Sequence, residues 1–222
     1  MLALLLCLAV AQPPAEAYRA LFVRAAPGRL VELVDLVKAR RDSAPAGTRP
    51  VLLRHAQGDQ WDLVLLQPIG SLSRYFAVDH SGPDPLWDRL VAWQEELFAS
   101  GPPLEEFQAT AGRAGYFHLE IFVALAGERD SLRAERAMEN VFLKAVGKPG
   151  NFVFTRLAGA SWDLFTVGFY RDLQDYAAPT GRTPEQEEAA ARAAGFVSRE
   201  AIGPYLRRFI NGHHDTIGSV VR

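Results

Sequence analysis

Arg54-His55-Ala56-Gln57-Gly58-Asp59-Gln60-Trp61-Asp62-Leu63 is answered in the second half of the chain by Arg156-Leu157-Ala158-Gly159-Ala160-Ser161-Trp162-Asp163-Leu164. Each segment sets an arginine, a glycine turn and a Trp-Asp-Leu triplet between two apolar runs, which is the pattern of a β-hairpin. Working outward, Leu72 and Tyr75 recur as Leu173 and Tyr176, and Phe22-Val23 recurs as Phe122-Val123. Gly101-Pro102-Pro103-Leu104-Glu105-Glu106-Phe107 recurs as Gly203-Pro204-Tyr205-Leu206-Arg207-Arg208-Phe209. The 222 residues therefore read as a tandem repeat, residues 18–110 and 111–222. Residues shared by both copies belong to the fold, and residues confined to one copy are the better candidates for a site.

Each copy opens with an apolar stretch that reads as a strand, Tyr18 to Arg24 and Tyr116 to Leu125. A helix follows. Leu30, Leu33, Val34 and Val37 share one helical face in the first copy; Leu132, Met138, Val141, Phe142 and Ala145 do so in the second, with Arg133, Glu135, Arg136 and Lys144 mostly opposite. Glu135 and Glu139 read as a solvated face flanked by arginines. The hairpins are Pro50 to Arg54 with Trp61 to Gln67, and Asn151 to Arg156 with Trp162 to Phe169. Short helices are expected at 71–76 and 172–177, and longer ones at 85–98, 184–194 and 198–210, with Thr183 capping the helix that starts at Pro184. Thr216 to Val221 is the expected fourth strand of the second copy. In the first copy the corresponding stretch runs straight into the next opening strand.

Strand, helix, strand, strand, helix is the order of a ferredoxin-like split βαβ unit, and one such unit leaves a sheet face that a second must cover. On this order and the repeated Trp-Asp-Leu strand, the chain resembles the dimeric α+β barrel superfamily, with its antibiotic-biosynthesis monooxygenase-like, NIPSNAP-like and haem-degrading members, over most of residues 18–222. The resemblance implies an α+β fold of two tandem ferredoxin-like repeats packed as an intramolecular barrel, with a small apolar or aromatic ligand between sheet and helices. It implies cofactor-independent oxygenation or proton abstraction as the chemistry, or non-covalent haem with His118 or His214 as axial ligand. In several cofactor-independent oxygenases of this fold Asn, Trp and His polarise the substrate; Asn140, Trp162 and His118 are the same residue types.

Apolar residues make up 49% of the chain and charged residues 23%, with a net charge of −2, so no basic patch marks it for nucleic acid. Met1 to Val10 is an apolar run followed by small residues, which reads as a secretory signal peptide (residues 1–17) cleaved after Ala17 or Ala11. The expected localisation is secreted or periplasmic, without stable membrane insertion. Cys7 is the single cysteine, so cleavage leaves a chain without disulfides or thiol chemistry.

His118 and Glu120 lie two apart in a strand, on one face together with Phe122, and the repeat sets Tyr18 and Ala20 at their places in the first copy. On a face lining the barrel interior they suit a general base with an orienting partner, or two metal ligands. Asn140, Trp162 and Phe122 are candidate pocket residues. His213, His214 and Asp215 add ligand types, but with Thr216 to Val221 antiparallel to the opening strand about five residues, at roughly 3.3 Å each, separate the clusters. Arg54 with Asp62, and Arg156 with Asp163, read as structural pairs fixing the hairpins, while Trp61 and Trp162 face the core. The expected object is an exported small-molecule-binding protein, monomer or homodimer; the alternatives are a non-catalytic interaction module and a metal- or haem-binding protein. A pocket around His118 and Glu120, plugged in the first copy, separates binding from a purely structural role.

Overall fold

The computed structural model describes residues 16–80 and 82–222, so all but the last two residues of the expected signal peptide lie outside the described residues. The chain runs through β1 (Glu16–Ala25), α1 (Leu30–Ser43), β2 (Val51–Gln57), β3 (Leu63–Gly70), α2 (Leu72–Phe76), α3 (Pro85–Leu90) and β4 (Val91–Gly101). After α4 (Leu104–Arg113) the order returns as β5 (Tyr116–Ala124), α5 (Arg129–Ala145), β6 (Phe152–Gly159), β7 (Leu164–Tyr170), α6 (Leu173–Ala177), α7 (Pro184–Ala193), α8 (Ile202–Leu206) and β8 (Ile210–Val220).

The strands close into one antiparallel barrel in the order β1-β3-β2-β8-β5-β7-β6-β4. The repeats are joined by two seams, β2 on β8 and β4 on β6. Barrel closure therefore needs no second chain. Strand alternation sends Tyr18, Ala20 and Phe22 of β1 and Phe117, Leu119 and Ile121 of β5 inward, into one core with Trp61, Phe154 and Phe165. Phe154 and Phe165 stack at 4.5 Å, and Phe22 meets Trp162 edge-on at 4.7 Å. Helix α4 sets Phe107 against Tyr18 and Phe154. The interior is a packed aromatic core, each such ring contributing about 1.5–3 kcal/mol by burial. Among the described residues the barrel interior is filled by side chains, and the covering helices pack on the outer face of the sheet.

Four expectations change. Residues 85–98 are not one helix: α3 ends at Leu90, and Val91–Gly101 is the fourth strand of the first repeat, hydrogen-bonded to β1 and β6. Its Gln-Glu-Glu-Leu run suits a helix, but pairing along both edges overrides that preference. Residues 198–210 likewise hold only the short α8 before β8 begins, six residues earlier than expected. The match of Gly101–Phe107 to Gly203–Phe209 is not a structural repeat, since the first stretch follows a fourth strand and the second precedes one. Finally, Asp62 N–H donates to the carbonyl of Val23, and Asp163 N–H to that of Phe122. Val23 thus corresponds to Phe122, one residue off the Phe-Val match.

Candidate functional site

A one-residue slip in a strand exchanges its faces. The first-repeat counterparts of His118 and Glu120 are therefore Arg19 and Leu21, not Tyr18 and Ala20, and both pairs point outward, away from the barrel interior. Strand registry extends the correspondence. Leu21 faces Leu65 and Glu96, and Glu120 faces Thr166 and Asp215; Val23 faces Gln94, and Phe122 faces His213. On the covering helices, Leu33 and Leu132 fill equivalent places, so Val37 corresponds to Arg136 and Arg40 to Glu139. One position in the fold has been built twice from different chemistry.

In the first repeat this position is a cleft of about 550 Å³ between α1, α3 and the sheet. Leu21, Val37 and Leu65 form its apolar floor and Trp87 a wall, while Arg19, Arg40, Arg41, Gln67, His80, Asp84, Asp88 and Gln94 make most of the remaining lining polar. Arg19 is ion-paired with Glu96, Arg40 with Asp84 at 2.7 Å, and the Arg40 guanidinium lies 5.5 Å from the Trp87 ring centre.

In the second repeat the same position carries charge. Because β8 starts at Ile210, Asp215 lies opposite Glu120 and His213 opposite Phe122, so the two clusters expected to stand apart come together. His118 Nε2 is 3.2 Å from Asp215 Oδ1, and His213 Nε2 is 3.2 Å from Asp215 Oδ2. Thr166 Oγ1 donates to Glu120 Oε2 at 3.1 Å. Above them Arg136, its side chain 2% exposed, forms a two-pronged pair with Glu135 at 2.6 and 2.9 Å and a further pair with Glu139. The guanidinium lies over the Phe122 ring at 5.0 Å and stands 3.8 Å from Glu120. Glu135 and Arg136 are thus buried toward the sheet, not solvated, while Val141 is 53% exposed.

Burial pushes the Glu139 carboxyl up to about 7, with Glu120 and Glu135 adding to the rise and Arg136 opposing it. Burial likewise raises Glu135 against the pull of Arg136. At His118 burial works to lower the pKa, but the hydrogen bond to Asp215 and the charges of Glu120, Asp215 and Glu139 outweigh it and hold the imidazole above its ordinary value. The His118 hydrogen bond in turn lowers Asp215.

The remaining candidates are dispersed. Asn140 is engaged with the Asn151 backbone, accepting from its N–H at 2.6 Å and donating to its carbonyl at 2.8 Å. Trp162 packs on the barrel core against Phe22, on the opposite side of the sheet from His118. Phe122 does share the His118 face, under Arg136. His214 points to the other face, 3.9 Å from Asp59 and 65% exposed. Of the structural pairs, Arg156 and Asp163 meet at 2.7 Å, but Asp62 accepts from Ala25 N–H while the Arg54 side chain is exposed. Arg136, Glu139 and Thr166 were not singled out as site residues; their one signal was a polar residue where the first copy has Val37, Leu65 or, with reversed charge, Arg40.

No protein-family model and no curated protein sequence matches the chain. Solved structures do. An anthrone oxidase-like protein superposes with a TM-score of 0.64 at 14% identity, covering 95% of this chain and 92% of its own. The fold is that of the dimeric α+β barrel. A proposed monooxygenase from Lactobacillus acidophilus follows at 0.57 and 9% identity, with 94% and 95% covered. A chlorite dismutase variant from Candidatus Nitrospira defluvii gives 0.52 at 12% identity, with 95% and 93% covered. Haem does not fit the residues present. His118 Nε2 faces Asp215 within a cluster of carboxylates, His214 is at an exposed rim, and His80, which lines the first-repeat cleft, is stacked on the Tyr75 ring with its Nε2 3.0 Å from the Tyr75 carbonyl oxygen.

Proposed function

We propose that this dimeric α+β barrel chain is an exported protein that binds a small apolar or aromatic molecule with a polar edge, in the sheet–helix cleft of the first repeat. The carrying observation is the cleft itself: about 550 Å³, with an apolar floor of Leu21, Val37 and Leu65, the Trp87 wall, and arginine, aspartate and glutamine side chains over most of the rest to hold the polar groups of the ligand. Ligand pockets of this kind run to roughly 300–1,000 Å³ and combine apolar lining with a few orienting polar groups. This moves the ligand from the second repeat to its counterpart in the first. Proton abstraction by His118 is the less favoured chemistry. Its Nε2 faces Asp215, and that hydrogen bond, with the charges of Glu120, Asp215 and Glu139, favours the protonated ring over the neutral form a base needs. Export rests on the apolar Met1–Val10 run. Cleavage after Ala11 leaves β1 whole, whereas cleavage after Ala17 removes Glu16 and Ala17, which pair with Gly101 and Ser100.

The test is titration of the mature protein with 2-naphthoate, followed by tryptophan emission, beside a Leu65→Trp variant that fills the cleft. Saturable binding that the variant loses supports the reading, as does a co-purifying organic mass in native mass spectrometry that the variant lacks. Binding undiminished in the variant, or a wild-type protein that neither carries nor binds such a molecule, overturns it in favour of an interaction role.

A further inference from the structure

Among the differences between the repeats, one exchanges a permanent cation for a histidine. Where Arg19 supplies a permanent positive charge to Glu96, the second repeat has His118 beside Asp215, and where the first has Leu21 it has a further carboxylate, Glu120. A fixed cation has been withdrawn and an anion added. Arg136, where the first repeat has Val37, adds one cation, but Glu135, Glu139 and, at 3.8 Å, Glu120 share it. Asp215 is left with two imidazoles at 3.2 Å, neither a permanent charge.

We propose that His118, Glu120 and Asp215 form a binding site for a divalent first-row metal ion, with His213 at its margin. One ligand atom from each of the three residues lies within 4.8 Å of the other two. All three project from β5 and β8, paired strands in the closed barrel, so the donors are held by backbone rather than by a loop. Imidazole with carboxylate oxygen suits zinc, manganese or ferrous iron, whereas calcium and magnesium prefer all-oxygen shells. The surroundings orient the donors: Thr166 holds Glu120 at 3.1 Å, and Arg207 Nη1 donates to His213 Nδ1 at 3.4 Å, leaving His213 Nε2 toward Asp215. The Asp215 side chain is 50% exposed, so an ion enters from solvent, while His118 and Glu120 are 16% and 13% exposed. Three protein donors leave positions open for water or another ligand. The site does not depend on the first-repeat cleft.

The experiment uses untagged mature protein stripped with a chelator, titrated with Zn²⁺ by calorimetry and with Co²⁺ by visible absorbance. One ion should bind per chain. His118→Ala, Glu120→Gln and Asp215→Asn should each weaken binding by more than the roughly 10–100-fold that loss of an outer-shell partner costs. His214→Ala, on the opposite face, should leave it unchanged. Near-UV circular dichroism checks folding, and the isosteric Glu120→Gln and Asp215→Asn variants guard against loss by misfolding. Absence of stoichiometric binding by the wild type overturns the proposal. So does equal affinity in the three variants, or loss of binding in His214→Ala.

Discussion

Glu139 is the residue through which the charged layer of the second repeat can be measured. Its carboxyl is displaced by burial from an ordinary 4.5 to about 7, and Glu120, Glu135, Arg136 and His118 all act on it. Because the proton stays on in the folded protein while the unfolded chain has already released it, raising the pH favours unfolding between those two values. At 1.36 kcal/mol per pH unit the displacement is worth about 3 kcal/mol, present in full below pH 4.5 and lost as the pH climbs through 7. Glu139→Gln keeps the shape and an oxygen for Arg136 but removes the titration. Urea unfolding of both proteins in chelator, from pH 4.5 to 8.5, gives the stability difference at each pH. The wild type should lose about 3 kcal/mol relative to the variant across that window and nothing further above it. A flat difference, or a wild type that gains on the variant toward neutrality, would refute the reasoning and show Arg136 holding Glu139 ionised as in an ordinary ion pair.

Arg136→Met should cost about 3–5 kcal/mol, because it strands Glu135 in the interior without its partner, and this is read as a fall in urea midpoint. Grafting the first-repeat residues instead, as Glu120→Leu, Glu135→Leu, Arg136→Val, Glu139→Arg and Thr166→Leu together, should leave stability unchanged or higher by up to about 4 kcal/mol; a loss comparable to Arg136→Met would show that the layer needs its charges to fold. Gly58 has φ +128, and a Cβ there would sit 2.3 Å from the Asp215 carbonyl oxygen, so Gly58→Ala should destabilise by at least about 1–3 kcal/mol. Asp163→Ala should cost more than Asp62→Ala by up to about 1 kcal/mol, since both lose a backbone N–H contact but only Asp163 also holds Arg156.

The barrel was legible because the Trp-Asp-Leu hairpins recur with their flanking apolar runs, and hairpins specify local order strongly. The face on which the site lies was not. Phe22-Val23 and Phe122-Val123 are identical by coincidence of register, and one residue of slip was enough to move His118 and Glu120 from the outer layer to the barrel interior. The fourth strand of the first repeat was hidden for a related reason. Leu97 and Ala99 turn into the barrel while Phe98 packs outward against Tyr75 and Phe76, so both faces are apolar there and no alternation shows. A solvated face at Glu135 and Glu139 is the natural expectation because buried charge is rare, and only the partner strand reveals what compensates it.

The charged layer is not there to hold the fold. Buried ion pairs give back little of their desolvation cost, and well-packed apolar residues of similar size commonly serve stability as well or better. The first repeat is that comparison made within the same chain: Leu21, Val37 and Leu65 support the same helix on the same strands, where the second repeat carries Glu120, Arg136 and Thr166. The first repeat, with Leu21, Val37 and Leu65 at these places, shows that the helix can be held there without a buried guanidinium and converging carboxylates. Arg136 itself then has a definite part: it ties Glu135, Glu139 and, at 3.8 Å, Glu120 into one layer, while one donor atom from each of Glu120, Asp215 and His118 lies within 4.8 Å of the other two at the solvent-reaching end.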